Sequence, residues 1–408
     1  MRTLGRVVLR VIGALVVFVC LVLAWAFLSY PTEYVMRGLR WGDADVYDYH
    51  KFPERHVSAG QIHFKFAERH DEAKVQSLLE QHPAIDNLDT FLEKNRTQAF
   101  IVIQNDNILY EKYYNNASRE TIVTSFSVAK SFASALIGIA IADGYIKSVN
   151  DPITDYLPEL AKRDPAFRRI TIRDLLRMSS GIKYRETSFF NGDDMKTYYY
   201  PDLRRLALEK TLVIDPPGSY FLYNNYHPLL LGMILERTTG MHVAEYLEVK
   251  IWQPIDMEFN ASWSVDSEST GFEKMESGIN GRAIDFAKFG RLYLNNGNWN
   301  GKQVIPTEWV YASTHPEAAP KGKNYYPDEF IFKSGRGYYG YLWWGLRREG
   351  SDYDFIALGN HGQFIYISLK RNLIIVRNGE SYGDFGGAQG WVDMFYRFAS
   401  SIEPVTHG

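Results

Sequence analysis

One apolar stretch of the chain is unusually continuous. Residues 127–142 are apolar on nearly every face of the helix that their spacing predicts, and Gly144 supplies a stop just beyond its end. A helix without a broad polar face is expected to be buried. Lys130 therefore needs an explanation, because a buried lysine is costly unless it is paired or gives up its proton.

Elsewhere the pattern predicts strands early and late in the chain, with helices between them. Strands are predicted at 99–104, 108–113, 340–345, 353–358, 364–369 and 373–378. Helices are predicted at 73–94, 170–178, 226–240, 284–295 and 388–402. We therefore expect an α/β (α+β) fold in which one antiparallel sheet, built from N- and C-terminal strands, is flanked by helices and carries an all-helical subdomain.

The N-terminal segment has the pattern of a membrane helix. Residues 11–28 carry no charge, and Arg2, Arg6 and Arg10 precede them. The run fits a transmembrane anchor or a signal peptide cleaved near Ala24-Trp25-Ala26, and its length favours the anchor. A mitochondrial presequence is a third alternative, although such segments are usually amphipathic. The arginines predict a cytoplasmic tail at 1–10 and an extracytoplasmic domain, periplasmic or extracellular.

Composition limits the remaining alternatives. Residues 29–74 are predicted as an irregular extension and residues 75–403 as the folded domain, and a chain that is 46% hydrophobic can bury a large core. The net charge of −3 gives no reason to expect nucleic-acid binding. Cys20 is the single cysteine, which excludes an intrachain disulfide. Histidines between 50 and 70 are spaced too widely for ligands on one helix face, so no metal or other cofactor is expected.

A candidate nucleophile lies at the start of the long apolar helix. Ser127 precedes Lys130 by three residues, so the two side chains share one helix face. A lysine of lowered pKa beside a serine hydroxyl has the outline of an activated nucleophile. A second copy of the spacing, Ser180-Gly181-Ile182-Lys183, is interpreted as a turn after a helix, because glycine follows its serine.

Two later polar segments could complete a site. In Tyr223-Asn224-Asn225, the first and third side chains can point the same way, and a tyrosine near a lysine can transfer a proton. Gly359-Asn360-His361-Gly362-Gln363 precedes a strand whose edge N–H could bind an oxyanion, and its glycines permit close approach. His361 also suggests a Ser–His triad, but the sequence contains no Gly-x-Ser-x-Gly elbow.

These three motifs, in this order, resemble the serine β-lactamase and penicillin-binding-protein-like hydrolases. The similarity is strongest to the class C-related branch, which includes esterases and the 6-aminohexanoate-dimer hydrolase. Ser127-Val128-Ala129-Lys130 resembles the Ser-x-x-Lys motif of the family, and Tyr223-Asn224-Asn225 resembles its Tyr-x-Asn motif. Asn360-His361-Gly362 falls at the third motif, Lys-Thr-Gly or His-x-Gly. Order and spacing agree over about residues 95–400.

The resemblance implies a role for each motif. Ser127 would form an acyl-enzyme, and Lys130 and Tyr223 would share the acid and base steps. Asn225 would bind substrate or orient the lysine, and the backbone N–H groups of Ser127 and Gln363 would form an oxyanion hole. The implied substrate-binding residues are Asn225, Asn360, His361, Gly362 and Gln363.

The third motif departs from the family pattern. Asn360 replaces the lysine, and His361 stands one place later than the family histidine. The missing cation normally contacts a substrate carboxylate, so neutral esters or amides are favoured unless His361 or Arg377 substitutes for it. We expect a serine hydrolase that cleaves an ester or amide in a small molecule or peptide. The alternatives are a β-lactamase or D-peptidase acting on cell-wall peptides, and a non-catalytic binding or scaffold module.

Overall fold

The computed structural model describes residues 2–187, 189–317, 325–327 and 330–404. Its helices are α1 (Arg2–Ser29), α2 (Thr32–Trp41), α3 (Glu72–Leu79), α4 (Leu88–Lys94), α5 (Val128–Ala142), α6 (Pro158–Arg163), α7 (Ile172–Leu176), α8 (Asp193–Tyr199), α9 (Leu203–Lys210), α10 (Tyr226–Thr239), α11 (Val243–Leu247), α12 (Ala283–Leu294), α13 (Thr307–Thr314), α14 (Phe330–Lys333) and α15 (Gly387–Ser401). Its strands are β1 (Glu54–Val57), β2 (Ala67–Glu68), β3 (Thr97–Gln104), β4 (Asn107–Tyr113), β5 (Val123–Thr124), β6 (Ala261–Ser264), β7 (Ile279–Gly281), β8 (Asn298–Trp299), β9 (Lys302–Gln303), β10 (Gly337–Tyr339), β11 (Trp344–Arg347), β12 (Tyr353–Gly359), β13 (Gln363–Ser368) and β14 (Leu373–Gly379).

An eight-stranded sheet joins the early and late parts of the chain. Its order is β10-β11-β12-β13-β14-β3-β4-β2, and β14 pairs antiparallel with β3, which places Ile101 opposite Val376. Only the short β2–β4 pair in this sheet is parallel. The predicted α/β architecture is therefore confirmed. The sequence does not predict a second sheet, β1-β6-β7-β5, whose strands are two to four residues long.

Helices cover both faces of the large sheet. On one face, α12 packs closely against the sheet at Gly290. A Cβ atom at this position would lie 3.0 Å from side-chain atoms of Ile365 and Ile374. On the other face, the ring of Phe364 packs against Phe395 of α15 at 5.4 Å between centroids. Successive side chains of β13 point to opposite faces, so both of its faces are apolar.

Helix α5 lies at the centre of the helical layer. Every residue from Val128 to Ala140 is buried, and the helix packs against α10, α13, β12 and β13. The ring of Phe132 stacks on Phe289 of α12 at 3.6 Å. The predicted helix at 127–142 is confirmed, and Gly144 adopts a φ of 81° beyond its end.

Two predicted elements are wrong in detail. The helix expected at 73–94 is split into α3 and α4, because Pro83 interrupts the backbone hydrogen bonding and Asn87 caps a new helix through the N–H of Thr90. The strand expected at 340–345 contains the connection between β10 and β11. Leu342 there adopts a φ of 59°, which no strand residue takes.

Residues 29–74, expected to be irregular, contain α2, β1 and β2. Arg55 of β1 pairs with Trp263 of β6. Arg37 of α2 is buried and donates hydrogen bonds to the carbonyl groups of Tyr199 and Asp266. These short elements depend on distant partners rather than on a local apolar period, which explains why the sequence pattern does not predict them. The domain boundary at residue 75 stays a prediction.

Helix α1 contains the predicted membrane segment. Residues 7–29 are long and apolar enough to cross a membrane, a longer span than the predicted 11–28. The C-terminal end of this helix contacts the domain, since Ala26 is fully buried in an apolar cluster with Tyr34 and Val35 of α2. Helix length and composition are therefore compatible with membrane anchoring.

Close packing of α5 gives a stability prediction. A side chain at Gly138 would place its Cβ 2.3–2.5 Å from three atoms of the Trp309 indole. Helix propensity alone would make Gly138→Ala stabilising by about 1 kcal/mol, whereas overpacking costs about 1–3 kcal/mol. We expect Gly138→Ala to lower the free energy of unfolding, measured by urea titration in detergent. The additional change Trp309→Leu should restore part of the loss, and a stabilised single variant would contradict this packing.

Candidate active site

The candidate nucleophile follows a strained residue. Ser127 occupies the N-cap position of α5, and Phe126 before it adopts a φ of 46°. A bulky residue with positive φ persists only where its surroundings hold it, and such residues cluster at functional sites. Here the N–H of Ser125 donates to the carbonyl of Ile279 at 2.7 Å. The strained turn places the Ser127 hydroxyl at a helix N-terminus, where developing negative charge is favoured.

Lys130 is buried beside this hydroxyl. Its Nζ donates to Ser127 Oγ at 2.8 Å and to the carbonyl oxygen of Glu276 at 2.9 Å. Burial lowers the pKa of Lys130 from 10.5 to about 7, while the charges of Glu276 and Asp194 act in the opposite direction. A substantial fraction of the lysine is therefore neutral near pH 7 and able to accept a proton.

Tyr223 completes the predicted catalytic set. Its ring centroid lies 4.9 Å from Lys130 Nζ. The ring stacks on Trp344 at 5.4 Å and meets Tyr339 edge-on at 6.3 Å. The fold therefore brings together Ser127, Lys130 and Tyr223, and it adds an aromatic wall. The sequence analysis missed Trp344 as a site residue, since its segment was interpreted only as a strand.

Asn225 is held by the segment 184–200. Its Nδ2 donates to the hydroxyl of Tyr184 at 2.8 Å and contacts Thr197 Oγ1 at 3.4 Å. Its Oδ1 is buried and has no hydrogen-bond partner within the described chain. The Tyr184 hydroxyl in turn donates to the carboxylate of Asp194. The amide of Asn225 is thus oriented by this segment rather than by a hydrogen bond to Lys130.

The third motif lies against the turn that holds the nucleophile. A Cβ at Gly359 would come within 2.4 Å of the Ser125 carbonyl oxygen, so this close approach requires glycine. His361 adopts a φ of 58°, and its ring lies 4.9 Å from that of Phe126. Asn360 is exposed beside it. The histidine ring therefore packs on the nucleophile turn, while Lys130 forms the hydrogen bond to the serine.

The side chain of Gln363 is committed to the sheet. Its Nε2 donates to the carbonyl of Gly379 at 2.7 Å, and its Oε1 accepts from Asn378 Nδ2 at 2.8 Å. The residue is fully buried. Gly362 before it adopts a φ of 83°, a conformation that favours glycine. Because both ends of its side-chain amide are occupied, Gln363 would contact a substrate through its backbone N–H.

Arg377 cannot replace the missing cation of the third motif. It is fully buried, and its guanidinium lies 3.8 Å from the ring centroid of Trp391. Its N–H groups donate to the carbonyls of Gly362, Asn95 and Ser381 and to Thr97 Oγ1. The hypothesis that Arg377 binds a substrate carboxylate is therefore wrong, because its guanidinium is buried behind the third motif and its N–H groups are already occupied.

A buried ion pair supports the carbonyl that binds Lys130. Lys274 Nζ lies 3.2 Å from a carboxylate oxygen of Glu276, and both side chains are 2% exposed. The rings of Phe52 and Tyr198 lie 4.2 and 3.8 Å from the same Nζ. The sequence analysis missed Phe52, Lys274 and Glu276. Lys274 and Glu276 are two residues apart in the sequence, but no sequence pattern near them indicates that Phe52 packs beside Lys274.

The second Ser-x-x-Lys copy lies in the core. Ser180 Oγ is 2.6 Å from His227 Nε2, and each residue is 1% exposed. Burial lowers the pKa of His227 to about 3, so the ring stays neutral. Gly181 adopts a φ of 74° in the turn after α7, as predicted. This Ser–His pair is structural because a substrate cannot reach it.

A cluster of two glutamates and one histidine, away from the candidate active site, has the spacing of metal ligands. Single ligand atoms of Glu236, His242 and Glu273 lie within 4.8 Å of one another. Arg204 donates to both oxygens of Glu236, and Arg55 donates to Glu273. These guanidinium groups already supply positive charge there, so we assign no metal ion to the group.

The fold and the Ser127–Lys130–Tyr223 geometry define a β-lactamase-like serine hydrolase. The Beta-lactamase family model matches residues 85–380, and the chain belongs to that family. The 6-aminohexanoate-dimer hydrolase of Paenarthrobacter ureafaciens is 26% identical over 306 residues, which cover 71% of this chain and 74% of the relative. The family prediction is thereby confirmed.

Two further comparisons agree with this assignment. The teichoic acid D-alanine hydrolase of Staphylococcus aureus strain MRSA252 is 22% identical over 272 residues, covering 61% of this chain and 65% of the relative. A solved structure from Bacillus anthracis, provisionally assigned as a 6-aminohexanoate-dimer hydrolase, superposes with a TM-score of 0.71 at 23% identity. That alignment covers 88% of this chain and 92% of the other, which supports the fold.

The pH dependence of acylation should follow the proton on Lys130. Only the neutral form of Lys130 can accept a proton, so the predicted transfer from Ser127 requires kcat/KM for an ester to rise with pH through about 7. The Asp194 carboxylate raises the pKa of Lys130, so Asp194→Asn should move the rising limb to lower pH. The matched control is Asp215→Asn, because the Asp215 carboxylate accepts a hydrogen bond from the hydroxyl of Tyr220, as the Asp194 carboxylate does from that of Tyr184. An unmoved limb in Asp194→Asn would contradict this electrostatic account.

Proposed function

We propose that the protein hydrolyses an ester or amide through an acyl-enzyme on Ser127. The single observation that carries this proposal is the 2.8 Å contact between Ser127 Oγ and the Nζ of Lys130, whose pKa burial lowers to about 7. As Oγ attacks the carbonyl carbon, Lys130 accepts the hydroxyl proton. Tyr223, whose ring lies beside Lys130, shares the proton transfer and protonates the leaving group.

The developing oxyanion would be bound by backbone donors. The N–H of Ser127 lies at the start of α5, and the N–H of Gln363 lies at the start of β13. Close approach of Gly359 to the nucleophile turn supports this pairing, because it brings the end of β12 against Ser125 and Phe126, which precede Ser127. Water then attacks the acyl carbon, and the released acid leaves Ser127 with its proton restored.

The preferred substrate is a neutral ester or amide. Asn360 stands where the family has a cation, and Arg377 is occupied by backbone carbonyls. A carboxylate-bearing β-lactam therefore lacks its usual partner. A cell-wall substrate bearing D-alanine is the second candidate, favoured by the relative that is named as a teichoic acid D-alanine hydrolase. A non-catalytic scaffold would have no use for a buried lysine beside a serine at a strained turn.

We infer that α1 is retained as a membrane anchor. The indole of Trp25 stacks on Phe189 at 6.1 Å, and Ala26 is buried beside Tyr34. Cleavage after Ala26 would remove Trp25 and Ala26 and leave Phe189 and Tyr34 without these contacts. The arginines before residue 11 favour a cytoplasmic N-terminus, which places the hydrolase domain outside the cytoplasm.

A fluorophosphonate probe tests the nucleophile. Full-length protein should be labelled, and peptide mass mapping should place the adduct on Ser127, because the adjacent lysine activates that hydroxyl. Ser127→Ala should abolish labelling. Ser180→Ala is the control at the second motif copy and should label at the wild-type rate when its melting temperature shows that it is folded. Labelling that survives Ser127→Ala would reject Ser127 as the nucleophile.

Ester and β-lactam substrates test the role of Asn360. The wild type should show a higher kcat/KM for p-nitrophenyl acetate than for nitrocefin, because the nitrocefin carboxylate lacks a cationic partner. Asn360→Lys should raise kcat/KM for nitrocefin about 10-fold, as expected for one new charge-assisted hydrogen bond. Asn360→Gln changes the side-chain length without adding charge and should give no such gain. Faster wild-type turnover of nitrocefin would contradict the proposed substrate preference.

A further inference from the structure

The segments 185–187 and 189–193, together called the 185–193 loop, lie between the membrane helix and the active site and are closed by hydrogen bonds between their ends. The N–H of Asp193 donates to the Arg185 carbonyl at 2.9 Å, and the N–H of Arg185 donates to Asp193 Oδ2 at 2.8 Å. The Arg185 guanidinium also donates to the carbonyl of Asn191 at 3.1 Å. Gly192 permits this closure, since a Cβ there would lie 1.8 Å from the Thr187 carbonyl oxygen. Ser188 lies outside the described residues.

A basic groove runs beside this loop. The groove has a volume of about 270 Å³, and its charged lining consists of Lys183, Arg185, Asp193, Lys196 and Lys210. Asp193 is engaged by Lys196 at 3.1 Å and by the hydroxyl of Tyr226 at 3.0 Å. In the described part of the chain, the other three cations have no carboxylate within ion-pair distance. The groove therefore carries positive charge that the protein leaves uncompensated.

The groove lies near the end of the membrane helix. The candidate span ends at Ser29, and the ring of Tyr30 packs edge-on against Trp25 and Tyr34. The hydroxyl of Tyr34 donates to the carbonyl of Phe190 in the loop at 2.8 Å. Burial raises the pKa of Tyr30, and the charges of Arg185 and Asp193 also act on it, so those groups are nearby. Lipid headgroups lie at this depth of a bilayer.

Apolar side chains border the groove. Leu212 and Ile214 are each 55% exposed, and Phe189 in the loop is 45% exposed. Leu212 lies next to the basic residues, because its carbonyl accepts from the N–H of Lys183 at 2.8 Å. Residues two apart on an extended segment share a face. Exposed apolar residues beside lysine and arginine are typical of surfaces that lie in the membrane interface.

We propose that the basic groove binds the phosphate headgroup of an anionic phospholipid in the leaflet that the C-terminal end of α1 reaches. This inference rests on the membrane anchor included in the proposed function. The phosphate contacts Lys183, Arg185 and Lys210, and the acyl chains lie beside Phe189 and the end of α1. The bound lipid would hold the 185–193 loop at the bilayer surface.

Headgroup binding would also position the active site. The loop is followed by Asp194, whose charge acts on Lys130, and is preceded by Tyr184, which accepts a hydrogen bond from Asn225. A lipid held at the groove therefore keeps these side chains at a fixed depth relative to the membrane. The active-site entrance is then presented to substrates at the bilayer surface rather than to bulk solution alone.

Native mass spectrometry of the full-length protein in detergent micelles tests the groove. Phosphatidylglycerol should form a defined adduct with the wild type, while phosphatidylcholine should bind far more weakly. Each lysine removed should weaken binding about five-fold, so Lys183→Gln with Lys210→Gln should cost roughly 25-fold. Lys147→Gln with Lys302→Gln removes two exposed lysines outside the groove and should bind like the wild type. All variants should melt at the wild-type temperature, because the substituted side chains are exposed.

Three results would overturn the groove assignment. They are equal binding of the two lipids by the wild type, undiminished phosphatidylglycerol binding by the Lys183/Lys210 variant, and complete displacement of the lipid by an equal concentration of inorganic phosphate. Carbonate extraction of membranes tests the anchor separately. Retention of the wild type without a lipid preference rejects the groove alone. Release rejects the anchor and, with it, the placement of the groove, whereas probe labelling of Ser127 remains an independent test of hydrolysis.

Discussion

Desolvation of Lys130 is the constraint on which the active site depends. The lysine lies on a helix that is buried on all sides, and its Nζ has the Ser127 hydroxyl and one backbone carbonyl as partners. The lowered pKa corresponds to a destabilisation of the charged form by roughly 5 kcal/mol relative to a lysine in water, which makes the two forms similarly populated near pH 7. Nearby features preserve this environment. The strained Phe126 directly precedes the serine, and Glu276, whose carbonyl accepts from Lys130, pairs one carboxylate oxygen with Lys274 at 3.2 Å.

The segment between α1 and the hydrolase domain contributes contacts next to the site and is more than a spacer. Phe52 packs over Lys274, and Asp48 accepts a hydrogen bond from Tyr198 at 2.6 Å. The ring of Tyr198 stacks in turn on Phe126, immediately before the nucleophile. One apolar cluster holds Ala26 of α1 together with Phe52, and the rings of Phe52, Tyr198 and Phe126 lead from it to the nucleophile turn, so a truncation before residue 53 would remove this connection.

The sequence predicts those parts of the molecule whose signals are local. Helix α5, the β3–β4 hairpin and the order of the motifs follow from periodicity and residue spacing. The sequence contains Pro83, which can end a helix, but the apolar period continues across it and favours a single helix. The role of Arg377 depends on burial under a distant motif, and the position of Phe52 depends on a pairing between short strands. Such contacts join residues far apart in the chain and leave no periodic signal.

The large sheet has a consequence for the timing of folding. Strand β3 is synthesised long before its neighbour on one side, β14, which begins only at Leu373. Until then one edge of the apolar β3–β4 hairpin is unpaired, and α5 lacks the β12 and β13 strands on which it packs. Desolvation of Lys130 therefore requires strands β12 and β13 to have been synthesised. A nascent chain that stops before β12 carries the serine without the environment that activates it, so catalytic competence arises only after the late strands of the sheet have been made.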